Sequence, residues 1–401
     1  MTKDQELENV VIIGAATAGM NLVLSLLKSL PCTHRIVLIE ANPVGYWSIG
    51  ALRASVLPGF EEKVVHDLTP TTVFGSASTR HILLSSTRVV DIQPDYVVVD
   101  KDVTSTLPES ELVEGGKSKI RVDKAVLAVG SDYGFPARIT PGTQTKEEVL
   151  DGFRKMQRDI SAAQEILVVG GGPTGVEFVG EVLDVHPNKV VTLITRGPGL
   201  VTTGKDSFGG LSAKLLSQLK SKGVRVILND SLSSSCLEGV RSGPIEPRTF
   251  ASEKGEEISA DFILLCSGGR PNTSWLQQSH PDIVDPSTSL IKVGPTFELS
   301  TKGWDRYYAV GDASNSPGPK VSFMAAQHAP LLATNLVTSI KGESEARLKK
   351  AGGPAMTVIS VPLGKSGGAS YLGFGSVGGW LTGAVKGKSL FVGQFEGWFK
   401  A

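Results

Sequence analysis

The strongest constraint on the fold of this chain is segment 165–196, in which an apolar run, a glycine-rich turn, a helix-like stretch and a second apolar run follow one another. Gly170, Gly172 and Gly175 match the spacing G-x-G-x-x-G directly after the first run. In that context the first glycine makes a tight turn, the second lets the backbone approach a pyrophosphate, and the third lets the helix pack closely against the strand. The segment therefore predicts a β–α–β unit whose helix N-terminus binds the phosphates of a dinucleotide.

The N-terminal segment has the same order of features, with one departure. Residues 10–13 predict a buried strand, and a turn of small residues follows it: Gly14, Ala15, Ala16, Thr17, Ala18 and Gly19. Ala16 replaces the middle glycine and adds a methyl group where the backbone approaches phosphate, so we expect a weakened but retained site. Glu40 ends the next predicted strand, where a ribose-binding carboxylate belongs. A solvated glutamate at a strand end is the alternative.

The two turns begin units that repeat along the chain. Each turn is followed by a helix, a strand, a β-rich stretch and a strand that ends in small residues, AVGS at 128–131 and CSGG at 266–269. An apolar strand before Gly311 and Asp312 returns to complete the first unit. We predict the α/β class, with two Rossmann-like dinucleotide-binding domains, the second inserted in the first, and a small C-terminal α+β cap. The predicted boundaries are 1–140 and 275–342 for the first domain, 141–274 for the second, and 343–401 for the cap.

Composition excludes several other classes of protein. The chain has 40 Lys and Arg against 40 Asp and Glu, a balance that does not indicate nucleic-acid binding. Its three cysteines, Cys32, Cys236 and Cys266, form no close pair, which argues against a disulfide framework, a metal site and a dithiol redox centre. A reducing compartment is the natural interpretation.

The N-terminal sequence bears on location. Residues 1–9 are polar and acidic, unlike a secretory signal, and no glycine follows Met1 to accept a myristoyl group. Residues 10–27 are long and nearly uncharged, but their small residues fit a strand, turn and helix better than a membrane span. We expect a cytoplasmic protein; peripheral membrane attachment and mitochondrial association stay open.

Several strings carry a resemblance that covers almost the whole chain: VVIIG, GALRASV, LAVGS, VVGGGPTGVEFVGE, LLCSGGRPN, YAVGDAS and KGKSLFV. The chain resembles the apoptosis-inducing-factor-like flavoproteins, and within them most closely the ferroptosis suppressor protein group. The resemblance implies FAD on the first turn and NAD(P)H on the second. Carried over by position, the implied FAD residues are Gly14 to Ala18, Glu40, Arg53, Val90, Ala128, Gly130, Gly311 and Asp312. The implied NAD(P)H residues are Gly170 to Gly175, Glu177, Arg196 and Gly268.

The resemblance also implies a reaction. A reduced nicotinamide would pass a hydride to flavin, and the electrons would go on to a quinone or another small acceptor. A reductase of a protein electron carrier, or a signalling protein that acts mainly by binding, are the alternatives. Arg53 would pair with the FAD pyrophosphate, although a surface helix position explains an arginine equally well.

Glu177 is the candidate catalytic residue. It lies two positions after Gly175, on the first turn of the predicted helix. It would either offset the helix dipole or organise the junction of nicotinamide and flavin. Glu181, one helical turn further, is expected at the surface or at a packing edge.

Arg196 bears on whether the protein uses NADPH or NADH. It lies 26 positions after Gly170, as Glu40 does after Gly14. An arginine cannot accept a bond from a ribose hydroxyl but can bind a 2′-phosphate, so NADPH is favoured over NADH. The alternative is that Arg196 is a solvated arginine and that the protein discriminates little between NADPH and NADH.

The C-terminal region mixes aromatic and basic residues, as is typical of a membrane interface. We expect it to contact a membrane, a lipid droplet or the tail of a quinone; a folded cap with core aromatics is the alternative. The residues in question are Trp380, Trp398, Phe399, Lys386, Lys388 and Lys400.

Overall fold

The structure, a computed structural model, describes residues 7–202, 208, 210–266, 268–353 and 357–400. Residues 1–6 of the acidic N-terminus and Ser267 of the second small-residue turn lie outside the described residues.

Strands are numbered in chain order. They are β1 (Glu8–Ile13), β2 (His34–Ile39), β3 (Val44–Tyr46), β4 (Val65–Asp67), β5 (Ile82–Leu84), β6 (Val89–Gln93), β7 (Tyr96–Val99), β8 (Glu111–Val113), β9 (Lys117–Arg121), β10 (Lys124–Leu127), β11 (Ser131–Asp132), β12 (Glu165–Val169), β13 (Val190–Thr195), β14 (Arg225–Leu228), β15 (Gly243–Ala251), β16 (Glu257–Leu265), β17 (Arg270–Pro271), β18 (Tyr307–Ala309), β19 (Ile359–Leu363), β20 (Gly367–Tyr371) and β21 (Ser376–Val377).

Helices are numbered in the same way. They are α1 (Thr17–Leu26), α2 (Ala51–Ala54), α3 (Pro70–Phe74), α4 (Lys146–Ala162), α5 (Pro173–Val185), α6 (Leu211–Ser221), α7 (Ser234–Leu237), α8 (Ser274–Ser279), α9 (Ser322–Ile340), α10 (Gly379–Thr382) and α11 (Val392–Gly397), with a π-helical turn at Gly383–Gly387.

The first dinucleotide domain is built on a parallel sheet in the order β18-β10-β1-β2-β5. β1 is central, and five of its six residues are buried, as expected for a strand covered on both faces. A four-stranded antiparallel sheet, β6-β7-β9-β8, precedes β10 in the chain. β18 pairs with β10 although the paired residues Ala125 and Tyr307 are 307 − 125 = 182 positions apart, so the intervening unit is an insertion.

The second domain repeats the first in its own sheet, ordered β14-β13-β12-β16-β15. β12 is central and parallel to β13 and β16, while β15 returns antiparallel as a long hairpin with β16. The segments that connect the two domains pair with each other as β11 and β17. The predicted fold class is therefore confirmed: two Rossmann-like units, one inserted in the other.

The C-terminal cap is a three-stranded sheet, β19-β20-β21, followed by α10, the π-helical turn and α11. It packs on α5 of the second domain at Gly180, where an added Cβ would lie 2.8 Å from the backbone nitrogen of Gly364. It also packs on the first domain, where Phe399 stacks on His66 with ring centroids 4.1 Å apart. Trp47 donates a hydrogen bond from Nε1 to the carbonyl of Leu390 at 2.7 Å. The cap thus joins both dinucleotide domains.

The aromatic residues of the cap divide into two sets. Trp398 and Phe399 are 3% and 8% exposed and lie in the core beside Trp47. For these two residues the structure favours the alternative, a folded cap with aromatic residues in its core, over contact with a membrane. Trp380 and Phe374 are 79% and 84% exposed. Among the described residues, no helix is long and apolar enough to cross a membrane.

Gly180→Ala tests the contact between α5 and the cap. Alanine favours a helix over glycine by about 1 kcal/mol, but here its Cβ would meet backbone that cannot yield, and overpacking costs about 1–3 kcal/mol. We expect a lower melting temperature. Gly152→Ala in α4 is the matched control, because its Cβ would be 3.4 Å from Phe135, an ordinary contact; it should leave the melting temperature unchanged or raise it. Equal shifts for both variants would contradict this packing.

Candidate functional site

The first glycine-rich turn has the close backbone packing that a dinucleotide site requires. Gly14 has φ +107°, and a Cβ there would lie 2.5 Å from the carbonyl oxygen of Ala128. A Cβ on Gly19 would overlap the carbonyl oxygen of Gly14, so α1 approaches β1 as closely as glycine allows. Ala16 is the N-cap of α1 and its side chain caps no backbone N–H group. The amide groups at the start of α1 therefore stay available to an anion.

A cavity of about 380 Å³ opens beside this turn. Glu40 lies at its edge and is held firmly, because its two carboxylate oxygens accept bonds from the backbone nitrogens of Ala15 at 2.6 Å and Asn42 at 2.9 Å. Its position beside the turn suits a ribose hydroxyl. The expected cavity residues that do line it are Gly14, Ala15, Ala16, Glu40, Ala128 and Gly130.

Other expected residues of the first domain lie near the cavity without lining it. Val90 does not line it, whereas its neighbour Val89 in β6 does. Thr17 and Ala18 belong to α1, where Ala18 contacts the turn at Gly311: a Cβ on Gly311 would be 3.3 Å from it. Gly311 itself lies two residues after the end of β18 and has φ +83°.

Asp312 lies in a charged environment that its sequence position alone did not indicate. Burial raises the pKa of its carboxyl group, while Arg138 and Lys320 oppose that rise. Arg138 lines the cavity, donates from Nε to the carbonyl of Ser131 at 2.9 Å and stacks over the ring of Tyr133. Sequence reasoning missed Arg138, because nothing in its local pattern distinguishes it from a surface arginine.

The second turn repeats the geometry of the first. Gly170 has φ +124° and lies against the carbonyl of Cys266, and a Cβ on Gly175 would overlap the carbonyl oxygen of Gly170. Gly172 is the N-cap of α5, with open space where a side chain would be. Pro173 starts the helix, where its missing N–H costs nothing. A phosphate can therefore approach the backbone directly.

Arg196 and Gly268 flank this second turn. Arg196 is exposed and directly follows β13. Gly268 is exposed at the end of β16 with φ +89°. Next to it Gly269 packs under the ring of Tyr133, so the connecting segments of the two domains touch here.

Glu177 is buried and paired with a residue of the cap. It is 8% exposed, and its Oε1 lies 2.7 Å from Nζ of Lys386. Burial raises the pKa of Glu177, and Lys386 opposes the rise. Because α5 begins at Pro173 and has no acidic residue in its first turn, the explanation of Glu177 as a first-turn dipole acid is wrong.

Arg53 has a partner that differs from the expected pyrophosphate. Its Nε and Nη2 bind the two carboxylate oxygens of Glu181 at 2.7 and 2.8 Å, and Nη1 donates to the carbonyl of Lys388 at 3.1 Å. It is 1% exposed and does not line the cavity. Glu181 is 2% exposed, so it lies in the interior and not at the surface. Sequence reasoning missed this pair because its members are 128 residues apart.

The three cysteines are free and separated. Cys32 is exposed, whereas burial raises the pKa of the Cys266 thiol to about 12. A thiol with that pKa is protonated at neutral pH and is a poor nucleophile.

Two glycine-rich turns, each at the carboxyl end of a central strand that is parallel to its neighbours, define the class of two-dinucleotide-domain flavoproteins. The chain belongs to the pyridine nucleotide-disulphide oxidoreductase family, whose model matches residues 8–330. It is thus an oxidoreductase that binds FAD and NAD(P)H.

Individual proteins confirm the resemblance. Ferroptosis suppressor protein 1 of Taeniopygia guttata is 26% identical over 386 residues, covering 96% of this chain and 94% of that protein. Apoptosis-inducing factor homolog B of Dictyostelium discoideum is 26% identical over 412 residues, covering 97% and 96%. In fold, the sulfide:quinone oxidoreductase of Aquifex aeolicus matches with a TM-score of 0.71 at 17% identity, over 98% of this chain and 92% of that one.

Glu40→Gln tests the ribose contact. A hydrogen bond to a charged acceptor contributes about 1.5–3 kcal/mol, so removing the charge should weaken FAD binding roughly ten- to hundredfold. The measurement is titration of the apoprotein with FAD. Glu111→Gln, an exposed carboxylate in β8, is the control and should bind FAD as the wild type does. An unchanged affinity for FAD in Glu40→Gln would contradict the ribose contact and would mean that Glu40 only accepts the structural hydrogen bonds from Ala15 and Asn42.

Proposed function

We propose that this chain is an FAD-dependent NAD(P)H oxidoreductase that delivers electrons to a small external acceptor of the quinone type. The observation that carries the proposal is the absence of a cysteine pair among the three cysteines of the sequence. In a reductase that works through a dithiol, flavin electrons pass to paired cysteines of the protein. This chain has none, so the electrons must leave to a separate molecule.

The described residues fit FAD in the first domain. The close packing at Gly14 and Gly19 would present the start of α1 to a pyrophosphate, Glu40 would bind the ribose, and Asp312 with Arg138 would lie toward the flavin end. Bound FAD supplies the redox chemistry, acceptance of a hydride from NAD(P)H and release of electrons to the acceptor. The protein would bind the two cofactors, orient them and shield them from water.

Glu177 and Lys386 would serve the junction of the two cofactors. Glu177 follows the second phosphate turn on α5, and Lys386 comes from the cap. Lys386 also donates to the carbonyl of Ser360 at 3.1 Å, which fixes the direction of its side chain. Burial raises the pKa of Glu177 and Lys386 opposes the rise, so the pair would place fixed charges at this junction and help to orient the nicotinamide against the flavin.

A quinone as the acceptor is supported by the cap surface. Phe374 and Trp380 are strongly exposed, and Val385 in the π-helical turn is 56% exposed. Exposed apolar groups of this kind are typical of sites that bind apolar ligands or a membrane surface. The sulfide:quinone oxidoreductase that shares the fold also uses, by its name, a quinone.

The absorption spectrum of the purified protein, followed by mixing with NADPH and NADH in a stopped-flow instrument, tests the proposal. A flavin spectrum that bleaches with a reduced nicotinamide and recovers with a short soluble quinone is the expected result. Recovery only with a protein electron carrier would replace the quinone by that carrier. A colourless protein that FAD cannot reconstitute would contradict the proposal.

Arg196→Glu tests the preference for NADPH. The arginine would bind the 2′-phosphate and the glutamate would repel it, so the Michaelis constant for NADPH should rise about tenfold or more, a loss of about 1.4 kcal/mol. NADH should be used better. Arg241→Glu, the same charge change at another exposed site of the second domain, controls for long-range electrostatics and should have little effect. A wild-type protein that strongly prefers NADH would overturn this role of Arg196.

Trp380→Ser combined with Phe374→Ser tests the apolar surface of the cap. Steady-state rates with a long-chain quinone in lipid vesicles should fall several-fold, whereas rates with a short soluble quinone should stay near the wild-type value, since only the tail or the bilayer needs this surface. Leu112→Ser, 54% exposed in β8 of the first domain, is the matched control. Equal losses with both quinones would assign Trp380 and Phe374 a structural role.

A further inference from the structure

We propose that Arg53 is a positioning residue, which holds Glu177 and Lys386 against each other by binding the two elements that carry them. The inference rests on the proposed function, because that function gives the Glu177–Lys386 pair its role. Arg53 belongs to α2 in the first domain and contacts neither member of that pair by a hydrogen bond. It acts through Glu181 and through the backbone of Lys388.

Arg53 can position the pair because Glu181 and Lys388, its two binding partners, lie close in sequence to Glu177 and Lys386. Glu181 lies four residues after Glu177, on the same side of α5 and one helical turn away. Lys388 lies two residues after Lys386, just past the π-helical turn. One guanidinium group therefore holds the helix by two bonds, to Glu181, and the cap by one, to the carbonyl of Lys388.

The chemistry of arginine is essential to this arrangement. A guanidinium group presents its donors in a rigid plane and can bind a carboxylate with two parallel bonds while a third nitrogen reaches another acceptor. The ammonium group of lysine is a single point charge that cannot reproduce this geometry. The ring of Phe60, whose centroid lies 5.4 Å from the guanidinium carbon of Arg53, adds a cation–π contact.

The balance of charge in the cluster explains why Arg53 matters to Glu177. Glu177 and Glu181 are both buried, and each charge makes the other carboxylate harder to ionise; burial is the larger effect on the pKa of Glu181, which is raised. Arg53 and Lys386 supply one positive charge for each carboxylate. Without the bidentate bonds of Arg53, Lys386 would have to serve both carboxylates and would be drawn from Glu177.

Arg53→Lys is the decisive variant, because it keeps the charge and removes the planar group. The limiting rate of flavin reduction by NADPH, per bound flavin, should fall roughly tenfold while the dissociation constant for NADPH stays near the wild-type value. Hydrogen exchange should rise in residues 383–392 of the cap. Arg154→Lys is the matched control, an arginine about one third exposed that also binds several carboxylates, and it should change neither quantity.

A double-mutant cycle with Lys386→Met separates positioning from simple stabilisation. If Arg53 acts through Lys386, the two effects on the reduction rate will be strongly non-additive. Additive effects would overturn the proposal, as would flavin loss or a lower melting temperature with an unchanged rate per bound flavin. If Arg53→Lys does not fold, Glu181→Gln, which keeps the side-chain shape, takes its place with the same expectations.

The same experiments distinguish this inference from the proposed function. Wild-type flavin that neither NADPH nor NADH reduces would overturn the proposed function. The exchange measurement would then still decide whether Arg53 fixes the cap, and unchanged exchange in residues 383–392 would refute that.

Discussion

The close approach of each helix to the strand before it is the constraint on which the rest of the structure depends. In both dinucleotide domains the carbonyl of the first glycine, Gly14 or Gly170, occupies the space that a Cβ on the last glycine of the motif, Gly19 or Gly175, would need. The first glycine also lies against the end of the neighbouring strand, at Ala128 in one domain and Cys266 in the other. Because two strand ends meet at each turn, small residues are needed at both, and the helix N-terminus is left in the position that favours an anion.

That constraint is local in sequence, which is why much of the fold was predictable. Helical periodicity predicts helices at 147–163, 212–222 and 323–341, and α4, α6 and α9 lie within one residue of those limits. The pattern at 242–257 predicts a β-hairpin, and this range contains β15 and the first residue of β16. Glycine spacing, apolar runs and helical periodicity each act over a few residues, so they can be recognised without knowing the tertiary structure. The order of the repeated features then predicted that β18 returns to the first sheet.

What the sequence could not predict depends on residues far apart in the chain. Arg53 and Glu181 are 128 residues apart, and Glu177 and Lys386 are 209 apart. A charged residue is normally assigned to the surface, because burial without a partner is costly. Only the tertiary structure shows that these four have partners.

For the aromatic residues of the C-terminal tail, by contrast, the sequence itself contained a pattern that predicts their burial. Phe391, Phe395, Trp398 and Phe399 have the spacing of one helical face, which is more typical of a core than of a membrane surface.

The buried charges also indicate what the cap contributes. Replacing a buried ion pair by apolar residues of similar size is often neutral or stabilising, so stability alone does not explain why two such pairs lie side by side. Removing one partner costs about 3–5 kcal/mol, since a charge is left unpaired in the interior. Such a cluster therefore tolerates few relative positions of the elements that carry it. Here those elements are α2 of the first domain, α5 of the second and the π-helical turn of the cap. The cap is thus more than an appended domain: with it undocked, Glu177 would lose its cation and Arg53 would lose its bond to the carbonyl of Lys388.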